Sequence, residues 1–313
     1  MDFIGQAVMS DSLVSYSVKT LRQRALDKGG FANTGTSNYR SDATAWAILA
    51  LVAAADDNDK ELIDLARTRL AAGQLSDGRV SISPEQPEIY WPTPLAILAW
   101  HQSPAHHDRL SQAANFLLNN AGTHWPTTPG DLDRHDHNLR GWPWVEGTYS
   151  WVAPTALGII ALKTAGYGNQ PRVLEAQRLL LDRECLHGGW NYGNRLVFGA
   201  ELRPMPEDTA MALDALRDST AKSCLERSLA YLNSAVKSLR TPIALAWSLL
   251  GLGAWGERPP AAAALLSECL KRQERYGVYD TTSLSLLILA ARSSGGLEKI
   301  FKPDPVLPKG EPL

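Results

Sequence analysis

Residues 151–162 read WVAPTALGIIAL and are apolar on nearly every face of a helix. Such a segment is typical of a helix that its neighbours bury on all sides. Pro154 stands just ahead of Thr155, and a proline in that place fits the first turn of a helix. The stretch therefore predicts a wholly buried helix.

Five other segments repeat this pattern, and in them Ala and Leu outnumber β-branched residues, which favours helix over strand. Each of the six segments carries a threonine near its start. The six threonines are Thr44, Thr93, Thr155, Thr209, Thr241 and Thr281. Each buried segment follows an amphipathic one, and the clearest of these has apolar residues at helical spacing, namely Leu110, Ala113, Ala114, Leu117 and Leu118. The chain thus reads as six helix pairs.

Alternating buried and half-exposed helices can close into a double ring, with the buried helices inside. An open solenoid would expose one face of every pair and would need polar caps at both ends, which are not evident here. We therefore predict an all-α fold, a single (α/α)6 barrel of six helix pairs with an inner ring of buried helices. It spans residues 1–298, and a Pro-rich C-terminal tail follows at residues 299–313.

Composition restricts the functional class. The 313 residues carry a formal net charge of −2, with no basic face or Lys/Arg run, which argues against a nucleic-acid or polybasic membrane-surface protein. The three cysteines form no CxxC pair, so a disulfide framework or Cys-rich zinc site is not expected. Neither a secretory signal nor a transmembrane segment is predicted, and we expect a cytoplasmic location.

The aromatic composition is uneven, with 10 Trp and 9 Tyr but only 5 Phe. Trp and Tyr rings carry a polar edge, which the Phe ring lacks.

A short glycine-containing turn precedes several buried helices. Its Gly is expected to end the outer helix, the residue two positions later to plug the gap between repeats, and its Gln amide to bond helix-end backbone. Residues 74–80 and 273–279 share the pattern Q-x3-G-x-apolar, residues 184–190 have Glu in place of Gln, and residues 28–31 keep only the Gly-Gly-aromatic end.

Together, the D-x-T-A and E-D-T-A-M-A-L helix starts and the Q-x3-G-x-W turns resemble the prenyltransferase and squalene-cyclase repeat family of α/α barrels. The resemblance covers nearly the whole chain. That family includes triterpene cyclases, diterpene cyclase domains and protein prenyltransferase β subunits. The prenyltransferase branch implies Asp, Cys and His zinc ligands near the last inner helices, where this chain has Thr241 and Asp280 with no Cys or His.

Residues 204–209, PMPEDT, resemble the D-x-D-D-T-A motif of cyclases that begin by protonating an alkene, in which the middle Asp is the general acid. By position, Glu207 matches that middle Asp and Asp208 the last, while Met205 stands in place of the first. Adjacent carboxylates can hold a proton, and a helix N-terminus stabilises the anion left behind. We predict Glu207 and Asp208 as catalytic; the alternative is an ordinary first helical turn.

The glycine turns and inner-helix starts should lie at one end of the barrel, its mouth. Aromatic rings there would stabilise a carbocation by ~1–2 kcal/mol each when desolvated, or would simply fill the throat. The predicted substrate-binding residues are Trp91, Trp142, Trp144, Trp151, Trp190, Tyr192, Tyr279, Asp42, Asp280 and Arg203.

The long connector 121–150 has the length of a lid or binding element. Its polar residues could bind a divalent ion or a diphosphate, and a solvated loop tip explains them as well. The residues in question are Asp131, Asp133, Arg134, His135, Asp136, His137 and Arg140.

The sequence thus predicts a terpene cyclase-like enzyme, an isomerase or lyase, that binds an isoprenoid in an aromatic mouth and protonates it. No cofactor is required, although a diphosphate substrate would bring Mg²⁺. A lone barrel is expected to need a homodimer or partner subunit to close its mouth. Two alternatives stay open: a non-catalytic isoprenoid-binding or scaffold subunit, and a glycan-active (α/α)6 enzyme with paired carboxylates.

Overall fold

The computed structural model describes residues 3–35, 38–125, 135–197 and 199–301, with side chains from residue 10 onward. Six helices form an inner ring: α2 (Ser41–Ala54), α4 (Pro92–Trp100), α6 (Val152–Thr164), α8 (Pro206–Leu216), α10 (Pro242–Ala254) and α13 (Thr281–Arg292). Six others lie outside it: α1 (Phe3–Gln23), α3 (Lys60–Ala72), α5 (His107–Asn119), α7 (Pro171–Asp182), α9 (Glu226–Ala235) and α11 (Ala262–Lys271).

The inner ring is closed. Each inner helix contacts the next in the order α2, α4, α6, α8, α10, α13, and α13 packs back on α2. The outer helices pack on inner ones, with α1 completing the outer layer against α13 and α11. The predicted (α/α)6 barrel is therefore confirmed. A short helix α12 (Gln273–Tyr276) follows α11, and a two-stranded antiparallel ribbon, β1 (Leu196–Val197) and β2 (Ala200–Glu201), lies ahead of α8.

Burial follows the sequence pattern. Every residue of α4 is buried, as its uniformly apolar sequence predicts. On α5, by contrast, only one face is buried, and it contains Leu110, Ala113 and Leu117. The inner helices thus owe their position to all-round apolarity, and the outer helices to a single apolar face.

The repeated threonine has a structural role that recurs in four repeats. Its Oγ1 lies in the first turn of an inner helix and accepts the backbone N–H of the residue that ends the preceding glycine turn. The bonds are Phe31 to Thr44 (2.9 Å), Val80 to Thr93 (2.9 Å), Trp142 to Thr155 (3.0 Å) and Trp190 to Thr209 (2.9 Å). We call this bond the threonine staple, because it fixes each turn onto its inner helix.

The remaining two threonines differ. The Thr281 hydroxyl donates to the carbonyl of Ala32 at 2.6 Å, so the last inner helix is fixed to the first turn of the chain. Thr241 is exposed and precedes α10, whose connector contains no glycine turn to staple. The fifth repeat therefore shares the buried helix but not the staple.

Two indoles from opposite sides of α13 meet inside the barrel. The rings of Trp46 and Trp247 meet edge to face, with centroids 5.9 Å apart and planes at 79°. Helices α2 and α10 are separated in the ring by α13, so the two rings can meet only inside the barrel. Both rings are almost fully buried and belong to the hydrophobic core.

The end opposite the mouth is covered by residues 293–301. The Leu297 N–H donates to Asp214 Oδ2 at 2.8 Å, and the Gln102 amide donates to the carbonyl of Phe301 at 3.4 Å. Packing thus continues as far as Phe301, into the segment predicted as tail, whereas residues 302–313 lie outside the described residues. Within the described ranges, no helix combines the length and apolarity needed to cross a membrane.

Candidate active site at the barrel mouth

Consecutive connectors are hydrogen-bonded to one another around the mouth. Each bond joins the start of an inner helix, or the connector ahead of it, to the neighbouring connector. The bonds are Ser41 Oγ to the Ser81 carbonyl (2.6 Å), Glu146 N to the Glu88 carbonyl (2.9 Å), Val152 N to the Tyr192 carbonyl (2.9 Å) and Thr281 N to the Asn33 carbonyl (2.7 Å). These bonds hold the connectors of the rim, and the helix starts that follow them, in fixed relative positions.

Asp208 is the most perturbed titratable group at the mouth. It lies in the first turn of α8 and is only 3% exposed. Burial raises the pKa of its carboxyl to about 7, and the negative charge of Glu207 adds to the effect. In the described part of the chain, neither carboxylate has an ion-pair partner. At neutral pH, Asp208 therefore exists in substantial part as a neutral acid.

The segment that carries this carboxyl is held by its neighbours. The Tyr231 hydroxyl on α9 donates to the Pro204 carbonyl at 2.8 Å, and the Met205 N–H donates to the Trp190 carbonyl at 2.7 Å. Gly189 has φ +82°, and a Cβ there would lie 2.6 Å from Pro204 Cβ and 3.0 Å from a Tyr231 ring carbon. Only glycine satisfies both the backbone and the contact at that position.

Tyr231 was not predicted from the sequence. It lies on an amphipathic outer helix, and no motif marks it. Burial, with the charge of Glu207 as a further cause, raises the pKa of its phenol to about 12. The hydroxyl therefore stays protonated and keeps donating to Pro204, which fixes the entry to α8.

Trp142 and Trp190, both predicted to bind substrate, lie in the core and are at most 1% exposed. Their indole N–H groups donate to the carbonyls of Leu117 (2.9 Å) and Leu180 (2.6 Å). These carbonyls belong to the last turns of α5 and α7, so each indole closes the end of an outer helix. Trp190 thereby fills the gap between repeats, as the turn pattern of residues 184–190 predicts, and Trp142 does the same without that pattern.

Four of the other predicted residues lie at the surface of the rim. The half-buried rings of Trp91 and Trp144 form an edge-to-face pair, with centroids 5.4 Å apart. Tyr192 is 54% exposed, and Arg203 is also exposed. The Trp91–Trp144 pair lies between the start of α4 and the connector ahead of α6 and gives the mouth one aromatic surface.

Trp151 is half-buried, and its backbone N–H donates to the Trp142 carbonyl at 3.1 Å. The last three predicted residues are also engaged in local bonds. Asp42, on α2 opposite α8, forms a two-point ion pair with Arg40 at 2.9 and 2.7 Å. The R-x-D spacing of Arg40 and Asp42 is the sequence signal for this ion pair. Asp280 caps α13 by accepting the Ser283 N–H at 2.7 Å. The Tyr279 hydroxyl donates to the Cys269 carbonyl at 2.8 Å, and burial raises its pKa to about 12.

The predicted ion site in the long connector is only partly described, because Asp131, Asp133 and Arg134 lie outside the described residues. His135 and His137 are buried and their rings stack, with centroids 4.4 Å apart and planes at 27°. Asp136 is exposed and accepts the N–H of Asn138 at 2.8 Å. Among residues that are described, no three His, Cys, Asp or Glu side chains are grouped to hold a metal ion.

The chain is similar to known proteins in its fold. No protein-family model and no curated protein sequence matches the chain. A variant of the type II terpene cyclase MstE from Scytonema, solved with geranylgeranyl dihydroxybenzoate as substrate, has TM-score 0.64 and 13% identity, covering 96% of this chain and 100% of that one. A protein from Actinoplanes has TM-score 0.60 and 16% identity, covering 85% and 81%.

An α-amylase from Clostridium perfringens is also similar, with TM-score 0.57 and 11% identity over 90% of this chain and 97% of its own. The barrel is thus a fold that a terpene cyclase and a glycan-active enzyme share. The shared fold therefore does not assign a reaction, which depends on the residues at the mouth.

Proposed function

We propose that this protein is a terpene cyclase-like enzyme that binds an isoprenoid across the barrel mouth and starts its cyclisation by protonation. The observation that carries the proposal is the buried Asp208, a carboxyl that keeps its proton near neutral pH at the N-terminus of an inner helix. The barrel fold, which this chain shares with a type II terpene cyclase, supports the same proposal.

In the proposed reaction, Asp208 is the general acid. Its O–H bond breaks, a C–H bond forms at one carbon of a substrate double bond, and a cation develops at the other. The N-terminus of α8 stabilises the carboxylate that remains, by about 0.3–2 kcal/mol. Glu207 acts through Asp208, because its negative charge adds to the effect of burial, which raises the pKa of the acid. The Trp91–Trp144 pair offers π faces to the cation.

The buried Trp46–Trp247 pair bears on where a substrate would lie. Because these two indoles pack against each other inside the barrel, we propose that the isoprenoid lies across the rim instead of within the barrel. We therefore propose that a second surface, from a homodimer or a partner subunit, covers the substrate. A cation exposed to water would be quenched before the ring closes.

The test is turnover by variants of α8. Wild type and Asp208→Asn are incubated with geranylgeranyl dihydroxybenzoate and with polyprenyl diphosphates, and the products are identified by mass spectrometry. Asp214→Asn is the matched control, because Asp214 is a buried carboxyl on the same helix with a pKa also raised to about 7, at the opposite end.

We expect cyclised product from wild type and Asp214→Asn, and at least about a hundredfold slower turnover by Asp208→Asn. Full turnover by Asp208→Asn would refute the role of the acid. Tight isoprenoid binding without any product would instead favour the non-catalytic subunit, in keeping with Met205 at the first motif position.

A second candidate function rests on the position of Asp42. Asp42 and Glu207 each stand two residues before a stapled threonine, on helices α2 and α8 that lie opposite each other in the ring. Two carboxylates facing across a cleft are what glycoside hydrolysis needs. Release of reducing sugar from α-glucans by wild type, and its loss in Asp42→Asn and Glu207→Gln, would establish this activity in place of cyclisation.

A further inference from the structure

After α13 the chain crosses the end of the barrel opposite the mouth as a short segment, residues 293–301, which we call the C-terminal strap. Arg258 fixes the start of the strap, because its guanidinium donates to the Ser293 carbonyl at 3.1 Å. The far end rests on the residues after α4, where the rings of His101 and Phe301 meet with centroids 5.4 Å apart. The strap is thus held at its start and at its end.

The middle of the strap is held by α8. The Leu297 N–H donates to Asp214 Oδ2 at 2.8 Å. Gly296, with φ +91°, brings the strap backbone so close that a Cβ there would lie 2.4 Å from Asp214 Oδ1. Arg217, which follows α8, donates to the Gly295 carbonyl at 3.0 Å. Three successive strap residues therefore lie against the end of α8, with the carboxyl of Asp214 at the centre of the contact.

One side of the strap borders free space. A cavity of about 350 Å³ lies between the strap and the end of α2, and its lining includes Val52 and Ala53 of α2 and Ser294, Lys299 and Ile300 of the strap. Segments with incomplete packing open locally at lower cost than the core does. The strap can therefore move away from α8 while the inner ring stays closed.

The carboxyl of Asp214 lacks a counter-ion in this contact. Within the described ranges it forms no ion pair, and burial raises its pKa to about 7. The charged groups that face it are Arg217 and Lys163, which lower the pKa, and Glu298, which raises it. Both cations are engaged elsewhere, because Arg217 pairs with Asp218 and Lys163 donates to carbonyls at the end of α8. An ionised Asp214 would thus be a buried charge without a direct counter-ion, which is costly.

We propose that Asp214 is a proton-controlled latch that holds the C-terminal strap on the barrel. When Asp214 is protonated, its carbonyl oxygen accepts the Leu297 N–H and the strap lies closed. When Asp214 loses its proton to solvent, the strap lifts from α8 and water reaches the carboxylate. Low pH therefore favours the closed strap, and raising the pH opens the end of the barrel opposite the mouth.

The direction of the pH effect follows from the pKa of Asp214 in the two states. In the closed state the pKa is about 7, whereas in the open state water returns it to its ordinary value of 3.8. Between these pH values closing takes up a proton, so the strap closes less readily as the pH rises. From pH 5 to pH 8 we expect the equilibrium constant for opening to increase about a hundredfold.

Amide hydrogen exchange at Leu297, corrected for the pH dependence of the chemical exchange rate, measures strap opening at pH 5 and pH 8. Asp214→Asn keeps an oxygen that accepts the Leu297 N–H but cannot ionise. Asp208→Asn, at the buried carboxyl in the first turn of α8, is the matched control. We expect opening to increase about a hundredfold between the two pH values in wild type and Asp208→Asn, and less than about threefold in Asp214→Asn.

A second pair of variants tests the contact without changing the charge. Gly296→Ala places a Cβ against Asp214 and should open the strap at both pH values. Gly256→Ala carries similar backbone strain, at φ +73°, but meets no atom within 4 Å and should leave the strap closed at pH 5. Equal protection of Leu297 in these two variants would overturn the latch, and this comparison does not depend on whether Asp214→Asn folds.

Three further results would overturn the proposal. The first is protection of Leu297 in wild type that is the same at pH 5 and pH 8, and the second is a pH dependence in Asp214→Asn as large as in wild type. The third is loss of protection in α6 and α13 together with the strap, because the whole barrel would then be opening. Since the strap lies opposite the mouth, none of these measurements requires the proposed reaction to be correct.

Discussion

Asp208 and Asp214 are both buried on helix α8, one in its first turn and the other in its last. Burial raises the pKa of each carboxyl to about 7. Their surroundings differ, because Asp214 accepts the Leu297 N–H, which lowers its pKa in part, whereas the negative charge of Glu207 acts against ionisation of Asp208. One helix thus carries, at one end, a carboxyl bonded to a backbone N–H and, at the other, the carboxyl that we propose as the acid.

The raised pKa of Asp208 predicts a pH-dependent cost in stability. Between pH 3.8, its ordinary pKa, and about 7, the folded protein binds more protons at this site than the unfolded chain does, so the contribution of Asp208 to stability falls as pH rises. Asp208→Asn removes this cost. We expect the variant to gain on the order of 2–4 kcal/mol over wild type at pH 8 and far less at pH 4.5. Urea unfolding at the two pH values measures the difference; an equal difference at both would contradict the assigned pKa.

Glu207 should tune the acid without replacing it. Asp208→Asn is expected to lower kcat by about 10²–10⁴, the usual contribution of a general acid. Glu207→Gln leaves the acid in place but removes the charge that helps to keep it protonated. As the pH is raised, the activity of Glu207→Gln should therefore begin to fall at a lower pH than the activity of wild type does. A pH–rate profile distinguishes the two, and an unshifted profile in Glu207→Gln would rule out the coupling.

The threonine staple predicts a stability difference between two threonines in corresponding segments. Thr155→Val leaves the buried Trp142 N–H without its acceptor, which costs about 1–3 kcal/mol. Thr241→Val alters an exposed residue outside any staple and should change stability by less than about 0.5 kcal/mol. Thermal and chemical unfolding of the two variants provide the comparison. Similar losses in both would show that the hydroxyl is not what stabilises the repeat.

The close approach at Gly189 can be separated from its backbone conformation. Gly189 and Gly199 have similar φ values, +82° and +79°, but only Gly189 has neighbours within reach of a Cβ. Alanine at either position carries the backbone strain, whereas Gly189→Ala also displaces Pro204 and the start of α8. We expect Gly189→Ala to be less stable than Gly199→Ala by about 1–3 kcal/mol. It should also lose activity, and equal stability of the two variants would contradict the packing.

The periodic sequence predicts the fold because each repeat is specified locally. A buried segment, a threonine and a glycine turn identify an inner helix wherever they recur, and the four staples join residues that are near in sequence. The Trp46–Trp247 contact is different, since it depends on which helices face each other across the ring. No local pattern holds that information.

The site was harder to predict because it depends on rotation about helix axes and on side-chain direction. Sequence places Trp142 and Trp190 in connectors at the mouth, yet their indoles turn inward to the ends of α5 and α7, where unpaired carbonyls need a donor. Likewise, Glu207 and Asp208 are neighbours in one turn, and the motif resemblance favoured Glu207 as the acid. The staple at Thr209 sets the rotation of α8, and it is Asp208 that becomes buried.

The bond between Thr281 and Ala32 spans 249 positions of the chain, whereas the four staples span far fewer. During synthesis, five helix pairs can assemble on one another as they emerge, but the seam between the first and last inner helices stays open until α13 is made. Throughout that interval α2 exposes apolar surface to solvent. Closure is therefore a late, long-range step, and changes at this seam should slow folding and promote aggregation more than equal changes at a staple.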